Sequence, residues 1–171
     1  MSFFVTRFRL WKLHRNLDLI PQPLKGRSVT ARVINGYIFP LNNVIAYITV
    51  EHREADVLPP PSGCDAFIKP THLCQLKEDQ LCWSKAGNQD VVDIYAEDKQ
   101  NLDVFEVDQA GRWIQLPSEK GWGTTGGIAR VFLKAQKYTA KIKIASKDTY
   151  AKEFDVEIDP GNGSDPLRRL Q

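Results

Sequence analysis

The sequence predicts an all-β fold, an antiparallel sandwich of eight or nine short strands entered through a short basic N-terminal arm. Apolar residues alternate with polar ones in segments of strand length, separated by turn residues. No helical stretch of any length is legible between Ser28 and Asp159, and Pro59-Pro60-Pro61 breaks the chain where three successive residues lack a backbone donor. At 171 residues with 42% hydrophobic and 26% charged residues, the composition is that of one ordinary globular domain, which excludes disorder, collagen-like repeats and a membrane bundle.

Residues 1–27 read as the arm and its linker. Phe4, Phe8 and Trp11 stand at spacings of four and three, the stripe of a short helix, while Phe4, Thr6, Phe8 and Leu10 alternate as a strand would. Pro21-Gln22-Pro23 and Gly26 then lead into the body. From Ser28 the period is two, with Val29, Ala31 and Val33 on one face. Asn35-Gly36 marks a turn, and 44–50 (VIAYITV) is β-branched and aromatic. Further strands are predicted at 65–68, 80–84, 91–96, 101–107, 113–116 and 128–133, with Glu97 to Gln100 as a polar turn.

The clearest pattern comes last. Tyr138, Ala140, Ile142 and Ile144 alternate with Thr139, Lys141 and Lys143, and Phe154, Val156 and Ile158 alternate with Glu153, Asp155 and Glu157. Flanking a polar turn at 146–148, they predict a hairpin with one face in the core and Lys opposite Glu and Asp on the other. The sandwich is expected to span 28–159, and 160–171 (PGNGSDPLRRLQ) to be a flexible tail.

The segments ARVINGY…NNVIAYITV and YTAKIKI…FDVEI resemble the first and last strand pairs of prokaryotic immunoglobulin-like accessory domains, with CARDB-type adhesion modules the nearest named kin. EDQLCWS…VVDIYAEDKQNLDVFEV is similar to segments of prokaryotic sandwich proteins. The resemblance covers the two ends and leaves much of 51–120 unmatched. It implies an immunoglobulin-like antiparallel β-sandwich with a scaffold or interaction role, and it brings no catalytic residues.

Charge is distributed unevenly. Residues 1–32 carry Arg7, Arg9, Lys12, Arg15, Lys25, Arg27 and Arg32 against Asp18 alone, a local +6, so with a net +2 the remainder carries −4. Any polyanion or anionic membrane would therefore be met by the arm and repelled by the body, which makes a nucleic-acid partner the weaker expectation. The apolar residues before Leu13 are interrupted by Arg7, Arg9 and Lys12, too soon for a spanning helix, and no secretory signal is visible. Three cysteines, an odd number, fit a reducing compartment or a metal site better than a disulfide framework. The expected location is cytoplasmic or membrane-peripheral.

Four residues supply metal-ligand chemistry: Cys64, His72, Cys74 and Cys82 bring three thiolates and an imidazole within nineteen residues. Their intervals of seven, one and seven residues depart from the Cys-x2-4-Cys knuckles that present two sulfurs to one zinc ion. The simpler expectation is that Cys82 is a small core residue beside Trp83, with no metal bound.

Gly121, Gly123 and Gly126 match G-x-G-x-x-G, but IARVFL after them reads as a strand where a dinucleotide site needs a helix, so a loop is expected. His14, His52 and His72 have no nucleophile motif beside them. Glu97, Asp98 and Asp103 read as solvated turn and strand residues. Trp83 and Trp113 are expected in the core, and Trp122 is open between core and a sugar-binding face.

The leading expectation is thus a non-enzymatic accessory module that binds a protein. Two alternatives stand beside it: a peripheral membrane protein attached through residues 3–15, whose aromatics and cations suit an anionic surface, and a small metal-binding protein or enzyme centred on Cys64, His72, Cys74 and Cys82.

Overall fold

A computed structural model describes residues 17–59, 79–84, 91–116, 131–147 and 149–171. Among them lie β1 (Leu17–Pro21), β2 (Ser28–Asn35), β3 (Leu41–Val50), β4 (Val57–Leu58), β5 (Asp79–Gln80), β6 (Cys82–Trp83) and β7 (Val92–Ile94). They are followed by β8 (Lys99–Val107), β9 (Trp113–Leu116), β10 (Val131–Lys134), β11 (Tyr138–Ser146), β12 (Thr149–Ile158) and β13 (Leu167–Arg169). The only helical element among the described residues is a single 3-10 turn, Glu54–Asp56. The strands form two antiparallel sheets, as the alternating pattern predicts. One runs β1-β2-β8-β9-β10-β4, with β6 also on β8, and the other β13-β12-β11-β3-β5, with β7 also on β3.

Alternation places the core. Val29, Ala31 and Val33 of β2, Val44, Ala46, Ile48 and Val50 of β3, Ile142 and Ile144 of β11, and Val156 and Ile158 of β12 are all buried between the sheets. Each fully buried aliphatic side chain contributes on the order of 1.5–3 kcal/mol relative to exposure. On the outer face of the second sheet, Lys141 stands opposite Asp155 and Lys143 opposite Glu153, as the hairpin reading expects. Lys141 Nζ lies 3.1 Å from Glu153 Oε2, but both side chains are about half exposed, so the pair adds little to stability.

β2 does not pair with β3. The Asn35-Gly36 turn carries the chain from the first sheet to the second, because β2 takes β1 and β8 as neighbours while β3 takes β11. The strand expected at 80–84 is likewise divided between sheets. Gln80 pairs with Tyr47 in the second sheet, the Leu81 N–H donates to Ala46 O at 2.8 Å, and Cys82 and Trp83 then pair with Asp103 and Leu102 in the first. Leu81 and Trp83 are both fully buried. A strand that changes sheets must spend its apolar residues on the shared interior, and the L-x-W spacing does so.

The sandwich extends past both expected bounds. Residues 17–21, read as linker, form edge strand β1, with Leu17 and Leu19 buried. Pro21 ends that strand at the sheet edge, where the missing donor breaks no ladder. Residues 160–171, read as a flexible tail, return as β13 on β12, with Leu167 buried. The reversal uses Gly163 at φ +51° and the Asn162 side-chain amide on Asp165 O at 2.9 Å. Strands of five and three residues beside Pro and Gly leave too short a period to be recognised in a sequence. The strand expected at 65–68, residues 128–130 and most of the arm lie outside the described residues.

β1 and β13, the outer strands of the two sheets, meet at one seam. Asp18 Oδ1 pairs with Arg169 Nη1 at 2.5 Å, and Lys152 Nζ donates to Leu17 O at 2.5 Å. The Lys152 and Arg169 cations also lie 5.1 and 5.0 Å from the Phe154 ring centroid.

Candidate functional site

The strand directions give the sandwich two ends, each with a concentration of polar or exposed groups. At the first end β3 runs into the 3-10 turn and β10 turns into β11. A cleft of about 360 Å³ opens there between Glu51, His52, Arg53 and Asp56 on one side and Gln136, Lys137 and Tyr138 on the other.

The polar groups in this cleft largely satisfy one another. Asp56, 4% exposed, accepts the Arg53 backbone N–H at 3.0 Å and faces Arg53 Nε at 3.5 Å. The backbone bond from Arg53, with help from the Gln136 side chain, holds the Asp56 carboxyl below the usual carboxylate range against the opposing effect of burial. Burial, and secondarily the Asp56 charge, push the Tyr138 phenol up to about 12, and its hydroxyl donates to Lys134 O at 2.9 Å. Lys137 Nζ reaches Asp159 Oδ2 at 3.3 Å and Glu157 Oε2 at 3.6 Å. His52 Nδ1 lies 2.9 Å from Val50 O, which can only accept, so Nδ1 carries the proton. The Gln136 side chain on Asp56 acts as the clasp between the two chain reversals, while the ion pairs lie within the first reversal (Arg53 with Asp56) and between Lys137 and the end of β12.

The second end is built differently. Asn35, the last residue of β2, is fully buried although polar. Its side-chain amide donates to Phe39 O at 3.0 Å and to Ile94 O and Tyr95 O at 3.1 Å each, while its Oδ1 accepts the Tyr37 N–H at 3.1 Å. Glu97 N–H donates to Tyr37 O at 2.9 Å and Asn35 N–H to Asp98 O at 3.0 Å, so segments 36–40 and 95–98 are tied together. Tyr37 is buried, its phenol pushed up by that burial, and its ring lies 4.5 Å from that of Phe39.

This anchored corner presents two large hydrophobic side chains to solvent. Ile38 is 84% exposed and Tyr95 64% exposed, the two largest exposures among the large hydrophobic residues described. Asp93, whose Oδ1 accepts the Asn43 N–H at 2.8 Å, and the exposed Glu97 stand near them. Glu97 has φ +59°, a left-handed conformation at the turn into β8. The β11–β12 turn closes the same end, with Ser146 Oγ donating to Asn42 O at 2.9 Å.

The residues singled out from the sequence separate accordingly. Trp83 and Trp113 are buried, as expected, the latter edge-on to Phe132 at 5.1 Å with the Arg27 guanidinium 5.5 Å from its ring. Trp113 therefore offers no open face to a sugar. Asp98 Oδ1 accepts the Lys99 N–H at 2.7 Å, and Asp103 accepts the Ser84 hydroxyl. Of the histidines, His52 alone lies among the described residues, in the clasp cleft. Cys64, His72, Cys74, Trp122 and the 121–126 glycines lie outside them. No group of three or more His, Cys, Asp or Glu that could hold a metal occurs among the described residues, nor does a helix long and apolar enough to cross a membrane.

Ile38, Tyr95 and the role of Asn35 were not singled out from the sequence. The available signal was G-Y-I-F-P at 36–40, three apolar residues inside a turn where solvation favours polar ones. No family model, curated protein or solved structure matches the chain.

Proposed function

We propose that this chain is a non-enzymatic accessory module of immunoglobulin-like type that binds a protein partner through the end of the sandwich formed by 36–40 and 95–98. The exposure of Ile38 and Tyr95 on a corner fixed by buried Asn35 supports this reading. An isoleucine exposed to this degree gains on the order of 1.5–3 kcal/mol when a partner buries it. A tyrosine on the same corner supplies a rigid amphipathic contact of the kind that anchors interfaces. Preorganisation by Asn35 lowers the ordering cost of association. The clasp cleft supports the non-enzymatic part, since its buried carboxylate and its phenol are committed to internal bonds.

The test is photo-cross-linking in the cells that make the protein, with p-benzoylphenylalanine at position 38 or, as control, at Thr139 on the outer face of β11. A discrete protein adduct from position 38, absent from position 139 and lost in Tyr95→Ser, is the expected result. Identical adducts from both positions, or none from position 38, would refute it.

Attachment of residues 3–15 to an anionic membrane is a second reading, favoured by the point where the arm joins the fold. Leu17 pairs with Asn35, so the arm enters at the end that carries Ile38 and Tyr95. Co-sedimentation of the full chain with vesicles containing a quarter phosphatidylserine, at low and moderate salt, tests it. Salt-sensitive binding that charge reversal at Arg7, Arg9 and Lys12 abolishes is the expected outcome of that reading.

A further inference from the structure

We infer that Lys152 is a modification site that takes the acyl group of small acyl phosphates, with Arg169 receiving the phosphate, and that acylation unpins the seam between the two sheets.

The fold holds this nitrogen in place. Lys152 shares the inward face of β12 with buried Phe154 and is itself half-buried, whereas Lys141 and Lys147 are exposed. Its Nζ lies 5.1 Å from the Phe154 ring centroid and donates to Leu17 O at 2.5 Å, so it is fixed between β12 and β1 where a surface lysine would swing in water. The Arg169 guanidinium lies 5.0 Å from the same ring centroid, and its partner is Asp18. Two cations thus share one aromatic ring at a seam where Asp18 is the carboxylate that faces them.

A lysine that is partly desolvated and stands beside a second cation is activated as a nucleophile, because both conditions favour the neutral amine. Burial first, and the Arg169 charge second, push Lys152 below the usual lysine range, with Asp18 opposing them. Lys141, paired with Glu153 on the outer face, is shifted the other way. The neutral amine keeps N–H groups to donate to Leu17 O, so it can attack from where it stands.

Arg169 decides the class of donor. A guanidinium has five N–H donors, the ion pair with Asp18 engages Nη1, and the side chain is 43% exposed. Its planar fork matches a phosphate, which would bring the acyl carbon of an acyl phosphate beside Lys152. The Lys152 lone pair then attacks that carbon, the bond from the carbon to the phosphate oxygen breaks, and inorganic phosphate leaves with the electron pair. The ammonium proton goes to solvent, and no oxidant or reductant is needed. The product nitrogen is an uncharged amide carrying an acyl group, so the bond to Leu17 O is lost while the Asp18–Arg169 pair stays.

The experiment incubates the purified full chain with acetyl phosphate at neutral pH and follows acetylation of each lysine by peptide mass spectrometry. Exposure alone would put Lys147 ahead. The expected result is Lys152 ahead by roughly tenfold, since a donor held beside the amine reacts from a raised local concentration. Inorganic phosphate should slow Lys152 and leave Lys147 unchanged, and with acetic anhydride, an uncharged donor, that effect should vanish. Arg169→Gln should slow Lys152 severalfold and Arg169→Lys should retain most of the rate, with melting temperatures verifying the fold. The phosphate arm uses the unaltered chain and stands if Arg169→Gln fails to fold. In the acetylated fraction, hydrogen exchange should rise in β1.

Lys152 reacting no faster than Lys147, phosphate slowing both lysines equally or neither, or a folded Arg169→Gln variant reacting as fast as the unaltered chain would overturn the acyl-phosphate site. Unchanged exchange in β1 after acetylation of Lys152 would overturn the unpinning.

Discussion

Asn35→Ala is expected to unfasten one end of the sandwich. The side chain is fully buried, donates to the carbonyls of Phe39, Ile94 and Tyr95, and accepts the Tyr37 N–H. Alanine removes all four contacts. The amide has two N–H groups for its three carbonyl contacts, so three bonds are lost in effect, and at about 1 kcal/mol each the ceiling is ~3 kcal/mol. Water can reach the Phe39 and Tyr95 carbonyls once the corner loosens, which lowers the expected loss to ~2–3 kcal/mol. For a domain of this size each kcal/mol moves Tm by ~2–4 °C, so the midpoint should fall by roughly 5–10 °C. Hydrogen exchange should rise first at Tyr37 and Glu97, whose amides belong to the corner.

Asn35→Asp isolates the donor from the shape. It puts an oxygen where the amide nitrogen faced three carbonyl oxygens, so the ionised form is disfavoured and the folded-state pKa of the introduced carboxyl is raised. A raised folded pKa means that the native state keeps a proton the unfolded state has released. The variant is then closest to wild type below about pH 3.9 and loses up to about 1.4 kcal/mol per pH unit above it, until its folded pKa is reached. Urea unfolding at pH 3, 5 and 7, followed by tryptophan fluorescence, measures both variants. An Asn35→Ala loss below about 1 kcal/mol, or an Asn35→Asp deficit that does not change with pH, would refute the role given to this amide.

Three further outcomes follow from the packing and the charges. Trp83→Ala, which empties the fully buried side chain beside the inter-sheet crossing, should cost about 3–5 kcal/mol in urea unfolding. Asp56→Asn should flatten the acid limb of the stability profile: the depressed carboxyl contributes stability above its unfolded pKa that is lost as pH falls, so the gap between variant and wild-type Tm should be wide at pH 7 and narrow near pH 2–3. Lys141→Ala, at a half-exposed ion pair on the outer face of β11, should change stability by less than about 0.5 kcal/mol by the same denaturation.

The long strands were legible because each holds one face in the core over several repeats. β11 and β12 alternate for most of their length, and their Lys and Glu/Asp faces fixed the pairing as well as the strands. β1 and β13 were not, because five and three residues give two or fewer repeats and a proline or turn sits against each. The division of 79–84 between sheets was also hidden, since Leu81 and Trp83 keep a strand's alternation while the backbone changes partners. The exposed corner escaped for a related reason. Alternation predicts which side chains enter a core, and Ile38 and Tyr95 stand outside any ladder, so only tertiary bonds, those of Asn35 and of the Glu97 N–H to Tyr37 O, reveal that their segments are held together.

The β1 edge bears on how a partner can bind. Gln22 N–H donates to Thr30 O at 2.9 Å, and the β1–β2 register then directs the backbone groups of Leu17, Leu19 and Pro21 outward. Each is blunted. Pro21 has no N–H to offer, the Leu19 N–H is taken by Asp18 Oδ1 at 3.0 Å, and Leu17 O is taken by Lys152 Nζ. An incoming strand would find no consecutive donors and acceptors here, the usual defence against edge-to-edge pairing. Strand addition at β1 would also displace the Asp18–Arg169 ion pair that joins the two sheets. Recognition through this edge is therefore disfavoured, and side-chain contact at the corner where β1 begins, with Ile38 and Tyr95 already outside the core, is the route that leaves the ladders intact.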